Sequence, residues 1–165
     1  MNNYIEIVKD ALKSVATEFN VKSEKRVYVV VPKEKIIETA KIVFKDLGMR
    51  FAIASGIDTP RAIEIMYHFS PDAYNMLVNI SVFINKDDLT IDSIASVITG
   101  AAWIETEIRE MLGVTFNNHP GPEKLLLGDD WPEDLHPLRR DNKDTRSTAA
   151  IRERLRRDGL LTASD

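Results

Sequence analysis

Two glutamates close in sequence, Glu105 and Glu107, and three histidines, His68, His119 and His136, are the residues whose types could support acid–base or metal chemistry. Two carboxylates act on one substrate bond only when both point into one cleft. In a helix, residues two apart are separated by about 200° of rotation, so Glu105 and Glu107 point away from each other and a shared dyad is excluded. Glu105 stands four residues before Arg109, the spacing of a solvated ion pair worth roughly 0.2–0.5 kcal/mol. The histidines have no short ligand spacing and no cysteine beside them, so no metal site is expected. His68 reads as a partly buried structural residue of a strand. His119 and His136 each precede a proline, which favours extended chain, and both are expected to donate hydrogen bonds that fix their segment.

Cysteine is absent, which excludes disulfides, thiolate nucleophiles, thiolate zinc sites and cysteine-ligated iron–sulfur clusters in this chain. Any electron carrier must belong to a partner. No nucleophile elbow, phosphate-binding glycine loop or dinucleotide fingerprint is present. Arg152, Arg154, Arg156 and Arg157 could meet phosphates, but no aromatic residues are interleaved with them for base stacking. The net charge is −4, divided into −7 over residues 1–138 and +3 over 139–165. Such a basic end on an acidic body suits an acidic protein, a nucleic acid or an anionic membrane surface. With 165 residues, 44% of them hydrophobic, the chain can bury a full core without staples. It has no apolar run of about 18 residues and no basic-then-apolar leader pattern at Met1–Glu6, so a cytoplasmic protein is expected.

The elements that must position these residues follow from periodicity. Ile5, Val8, Leu12, Val15, Ala16 and Phe19 keep the spacing of an amphipathic helix, and the β-branched run Arg26–Val31 reads as a buried strand. Pro32 opens a second helix with Ile36, Ile37, Ala40, Val43, Phe44 and Leu47 on one face and Gly48 placed for a left-handed cap. Three strands in meander order are expected at 49–57, 62–69 and 74–84, the last alternating through Tyr74, Met76, Val78, Ile80, Val82 and Ile84. A helical stretch should run from about Thr90 to Leu112, interrupted near Gly100, with Ile104, Ile108, Met111 and Leu112 as its apolar stripe. The expected fold is α+β: a mixed β-sheet of about four strands with helices packed against it, in the order α-β-α-β-β-β-α.

Residues 1–112 would form this domain, and 113–165 a long extended tail ending in a short basic helix over 146–157. The segment 113–145 holds half of the chain's glycines and prolines, so it cannot be regular structure for long. It nevertheless carries Phe116, Leu125, Leu126, Leu127, Trp131 and Leu138. These need a surface to cover, either this domain's own or a partner's, and with Arg139 and Arg140 they match the mix of an interface anchor.

Ala101 and Ala102 before Trp103, then Glu105-x-Glu107-x-x-Glu110, Gly113-Val114-x-Phe116, His119-Pro120, Leu125-Leu126, Asp130-Trp131 and His136-Pro137-Leu138-Arg139-Arg140-Asp141 together resemble the C-subunit (30 kDa) family of respiratory complex I. The same family supplies a small subunit to energy-converting [NiFe] hydrogenases. The resemblance implies a non-catalytic subunit without cofactor, on the cytoplasmic side of the membrane, docked on the large catalytic subunit. Iron–sulfur clusters and nickel–iron would be held by partner subunits. Trp103, Glu105, Glu107, Gly113, Phe116, His119, Pro120, Leu125, Leu126, Asp130, Trp131, His136, Pro137, Leu138, Arg139, Arg140 and Asp141 would form the signature segment, with structural and docking roles. Two positions depart from the pattern: Thr106 replaces an arginine, and Glu123 stands where a basic residue is usual. With the short chain, they favour a hydrogenase-type or ferredoxin-linked complex over NADH:quinone oxidoreductase. Two competing readings are an enzyme using Glu107 and His119 as acid and base, and a nucleic-acid-binding module using the arginine-rich end.

Overall fold

A computed structural model describes residues 3–122, 124–140, 148–157 and 159. Helix α1 (Asn3–Leu12) is followed by β1 (Glu18–Ser23) and β2 (Arg26–Val30), and then by a short 3-10 turn leading into α2 (Ile36–Lys41), which widens into a π turn at Ile42–Asp46. The meander is β3 (Arg50–Asp58), β4 (Ala62–Ser70) and β5 (Leu77–Asn85). Beyond it come β6 (Thr90–Asp92), α3 (Ala101–Leu112), β7 (Thr115–Asn117) and α4 (Thr148–Arg157).

Five strands form the main sheet in the order β1-β2-β5-β4-β3. The crossover through α2 carries the chain from β2 to the far edge. The meander then returns to place β5 beside β2 in the sheet's one parallel pairing. One face of the sheet is apolar: Ile63, Ile65, Tyr67 and Phe69 of β4 stand opposite Ile84, Val82, Ile80 and Val78 of β5. All eight are buried with Ile5, Val8 and Leu12 of α1, Ile36, Ala40 and Val43 of α2, and Ile108 and Leu112 of α3. Each fully buried aliphatic side chain of this set contributes about 1.5–3 kcal/mol relative to exposure.

Three expectations are corrected. The first helix stops at Leu12, and Phe19 belongs to β1, paired with Val29. Hydrogen bonding to β2 overrides the helical spacing and adds β1 as the fifth strand of the expected mixed sheet. The segment from Thr90 to Gly100 is not helical: β6 pairs in parallel with β7, Ile91 opposite Phe116, and Ser93 caps a 3-10 turn by accepting from the Ala95 amide. The strand expected from Tyr74 begins at Leu77, because Asp72–Tyr74 is a 3-10 turn closed by Asn75 at φ 47°. The final helix begins within the described residues at Thr148; the expected start at Arg146 lies outside them, as do Glu123 and Asp141.

Gly48 closes the π turn at φ +62°, and Gly113 closes α3 at φ +75°. Gly113 has a second constraint, since a Cβ there would lie 2.5 Å from His136 Nε2. Gly113→Ala should therefore cost about 2 kcal/mol or more, from left-handed strain and from displacing the His136 ring. Gly100→Ala, at φ −63° with open space around it, should be neutral or slightly stabilising. Chemical denaturation of the two variants checks the contrast.

Candidate functional site

Helix α3 carries the densest part of the signature, and it is buried on two sides. Ala101, Glu105, Ile108 and Leu112 face the sheet, while Ala102, Thr106 and Glu110 are buried beneath the returning chain. Close approach to the sheet depends on Gly56 of β3, whose missing Cβ leaves room for Leu112 and Ile108. Trp103 and Glu107 are exposed, and Ile104 and Met111 are only partly buried. Of the expected stripe Ile104-Ile108-Met111-Leu112, Ile108 and Leu112 are buried against the sheet while Ile104 and Met111 lie at its margin, because a second buried face holds Ala102, Thr106 and Glu110.

Glu105 is not a solvated partner of Arg109. Its side chain is fully buried and accepts hydrogen bonds from Ser93 Oγ (2.5 Å), the Ile94 amide (3.0 Å) and Tyr67 Oη (3.4 Å). Arg109 instead donates to the Pro122 carbonyl. Burial pushes the Glu105 carboxyl up to about 6, opposed by the bonds from Ser93, Ile94 and Tyr67. Burial, and then the neighbouring Glu105 carboxylate, push the Tyr67 phenol well above its ordinary range.

The residues after α3 fold back along it, tied largely through main-chain groups. His119, with its side chain 3% exposed, lies 3.8 Å from Glu105 Oε2. Its Nε2 donates to the Ala102 carbonyl at 3.0 Å, and its Nδ1 accepts from the Gly121 amide at 3.1 Å, the pattern of an Nε2–H tautomer. Thr106 donates its hydroxyl to the Ala102 carbonyl at 3.0 Å, with the Pro122 carbonyl 3.3 Å from the same oxygen. Glu110 accepts from the amides of Leu125 and Leu126 (both 2.8 Å) and Leu127 (3.4 Å). His136 Nδ1 donates to the Glu110 carbonyl at 2.9 Å, and the Leu138 amide to the Met111 carbonyl at 3.0 Å. Trp131 is half-buried, its indole N–H given to the Leu135 carbonyl, and Phe116 is buried. Pro120 and Asp130 are exposed.

At the end of this path Arg140 donates its amide to Asp58 Oδ2 at 2.6 Å, while Lys86 and Arg139 approach the same carboxylate at 2.5 and 3.7 Å. Sequence reasoning assigned Asp58, Ser93 and Glu110 no individual roles. For Glu110 no local signal existed, since its partners, the amides of Leu125, Leu126 and Leu127, lie fifteen or more residues away. The structure brings Glu105, Glu110, His119 and His136 together around α3. It places His68 apart, between Asn79 Oδ1 and Ser55 Oγ at 2.7 and 3.1 Å. It also separates the acid and base of the enzyme reading: His119 is enclosed beside Glu105, while Glu107 lines a groove against β3. Among the described residues no cluster of three or more histidine, aspartate or glutamate side chains is arranged for a metal, and no helix is long and apolar enough to cross a membrane.

Three large apolar side chains are left outside: Trp103 is 61%, Leu126 57% and Leu138 59% exposed, and Leu138 lines a groove with the partly buried Ile104 and Met111.

Fold and site together define an α+β domain whose signature helix is enclosed by its own sheet and its own returning chain. The chain belongs to the family described as respiratory-chain NADH dehydrogenase, 30 Kd subunit, whose profile matches residues 29–148. It is 30% identical over 151 residues to the C subunit of the NADH-quinone oxidoreductase of Salinispora tropica, covering 84% of this chain and 61% of that protein. It therefore spans about three fifths of that relative's length. It is 29% identical over 140 residues to the C subunit of the F(420)H(2) dehydrogenase of Methanosarcina mazei, covering 83% of this chain and 88% of that one. In fold it matches a chain of the membrane-bound sulfane sulfur reductase, an archaeal respiratory membrane complex, with a TM-score of 0.74 at 23% identity over 97% of this chain and 94% of that one.

Because the Glu105 carboxyl titrates near 6 when folded against an ordinary value of 4.5, the folded state holds this proton more tightly than the unfolded one. Its contribution is full below about pH 4.5 and is lost as pH rises through about 6, a change of about 2 kcal/mol. Glu105→Gln should flatten that part of the stability profile, as measured by denaturation midpoints between pH 4 and 7.

Proposed function

We propose that the chain is a non-catalytic peripheral-arm subunit of a membrane-bound, ion-pumping respiratory redox complex, docking on the large catalytic subunit and stabilising it. One observation carries the reading. The segment after α3 satisfies its polar groups against its own helix, yet leaves Trp103, Leu126 and Leu138 more than half exposed beside one another's elements. Exposed aromatic and aliphatic residues on a rigid, hydrogen-bonded backing suit a protein interface better than open water. The enclosed positions of Glu105 and His119, away from Glu107, argue against the acid–base reading. Arg154 is held by Asp134 at 2.7 Å, so part of the basic run is spent on the chain's own tail and not left for phosphates.

The docking segment in this reading is the signature through Arg140, backed by α3. Iron–sulfur clusters and any nickel–iron centre belong to neighbouring subunits, and the protein sits peripherally on the cytoplasmic side. The preferred assembly is a hydrogenase-type or ferredoxin-linked complex. Thr106, where the resembled signature has arginine, supports this. Membership of an NADH:quinone oxidoreductase, as its C-type subunit, is the second reading, favoured by the name of the Salinispora relative.

Affinity purification of the tagged chain from gently solubilised membranes, with identification of stoichiometric partners, tests both. A nickel-site large subunit with antiporter-like membrane subunits is the expected set. A quinone-module set without nickel ligands moves the assignment to complex I, and recovery of the chain alone refutes docking. Trp103→Ala combined with Leu126→Ala should weaken capture of the large subunit by about 2 kcal/mol or more, near thirty-fold. The thermal midpoint of the isolated chain should hardly move, because both side chains are already exposed.

A further inference from the structure

The two edges of the main sheet are finished differently. β1 has Glu18 and Lys22 along its length, and charges of this kind discourage strand addition. β3 has charges only at its ends, Arg50 and Asp58; the seven residues between, Phe51 to Ile57, contain no charge and no proline. An irregularity in pairing with β4 is confined to Phe51–Ile53. Among the described residues, no backbone hydrogen bond joins residues 50–57 to anything outside the pairing with β4.

This open edge forms the floor of a groove of about 250 Å³ between β3 and α3. Gly56, which has no side chain, lines it with backbone. Ile104 and Met111 of α3 line it together with Leu138 of the returning chain, whose amide is bonded to the Met111 carbonyl, and Ile53 lies at the sheet. Ile53 and Ile57 are 51% and 49% exposed. The one charged side chain lining the groove is Glu107, which is exposed and has no ion pair among the described residues.

We infer that the β3 edge receives an extended segment of a neighbouring subunit, added as a sixth strand, with apolar side chains at alternate positions and a lysine or arginine beside Glu107. Backbone pairing would provide the affinity, while the Ile104–Met111–Leu138 wall and the glutamate would select the sequence. Charge decides against a second copy of this chain as the occupant. Self-pairing would bring another Glu107 and another chain of net charge −4 to the same place, whereas a basic strand removes the repulsion. The inference rests on the docking reading for the identity of the neighbour as a member of the same complex.

Amide hydrogen exchange, compared between the full chain alone and the same chain in the purified complex, tests it. Alternate amides of residues 50–58 should exchange about ten-fold or more slowly in the complex, the signature of one newly paired edge. Ile53→Lys and Glu107→Lys should each lower recovery of the chain in the complex by about ten-fold. The exchange comparison needs no variant, so a misfolded Ile53→Lys protein would not leave the matter open. A complex that forms with β3 exchange unchanged overturns the strand seat and leaves docking standing. Failure of the chain to join any complex overturns both. Protection of β3 in the isolated chain that rises with its concentration, alongside a dimer in sedimentation, overturns the inference in favour of a second copy.

Discussion

A carboxylate closed off from water costs several kilocalories unless its oxygens are filled, and the arrangement around Glu105 depends on filling them. Ser93 and the Ile94 amide bring the turn after β6 to the helix, and Tyr67 brings the centre of the sheet. With Glu105 seated, Ala101, Ile108 and Leu112 fall against β3 and β4, and the opposite side of α3 is presented to the chain that returns over it. His119 completes the enclosure, its ring held between the Ala102 carbonyl and the Gly121 amide. A hydrophobic residue at position 105 would fill the space but leave the Ile94 amide and the Ser93 hydroxyl to find other partners.

Much of the architecture was legible in the sequence because its signals are local. Alternation in Val78, Ile80, Val82 and Ile84, the Gly48 cap and the face of the second helix all depend on neighbours a few residues away, and they fold as read. What was not legible depends on distant partners. Phe19 keeps helical spacing but pairs with Val29, a preference that only the finished sheet reveals. The stretch 90–100 has helical spacing at Ile91, Ile94, Ala95 and Ile98, yet β6 is drawn into pairing with β7, more than twenty residues later. Glu105 looked like a surface ion pair because spacing to Arg109 is visible in sequence and burial by Tyr67 and Ser93 is not.

The site was legible in a different sense. Its ordered motifs identified the family, but order alone gave no division of labour. The structure separates residues that hold the chain to itself, including Glu110, His119, His136 and Gly113, from those that face outward, including Trp103, Leu126 and Leu138. Trp131 belongs nearer the first group, since its indole is committed to Leu135. The exposed apolar surface of α3 follows from this division: with Ala101, Glu105, Ile108 and Leu112 against the sheet and Ala102, Thr106 and Glu110 under the returning chain, Trp103 is left facing outward.

The grip of Glu110 on the amides of Leu125, Leu126 and Leu127 is a grip on main chain alone. Any residue except proline can offer the same N–H, so the side chains of this loop are free to diverge while its path stays fixed. The loop is thereby a replaceable cassette on a constant mount, whose few letters can be rewritten without redesigning the domain beneath them.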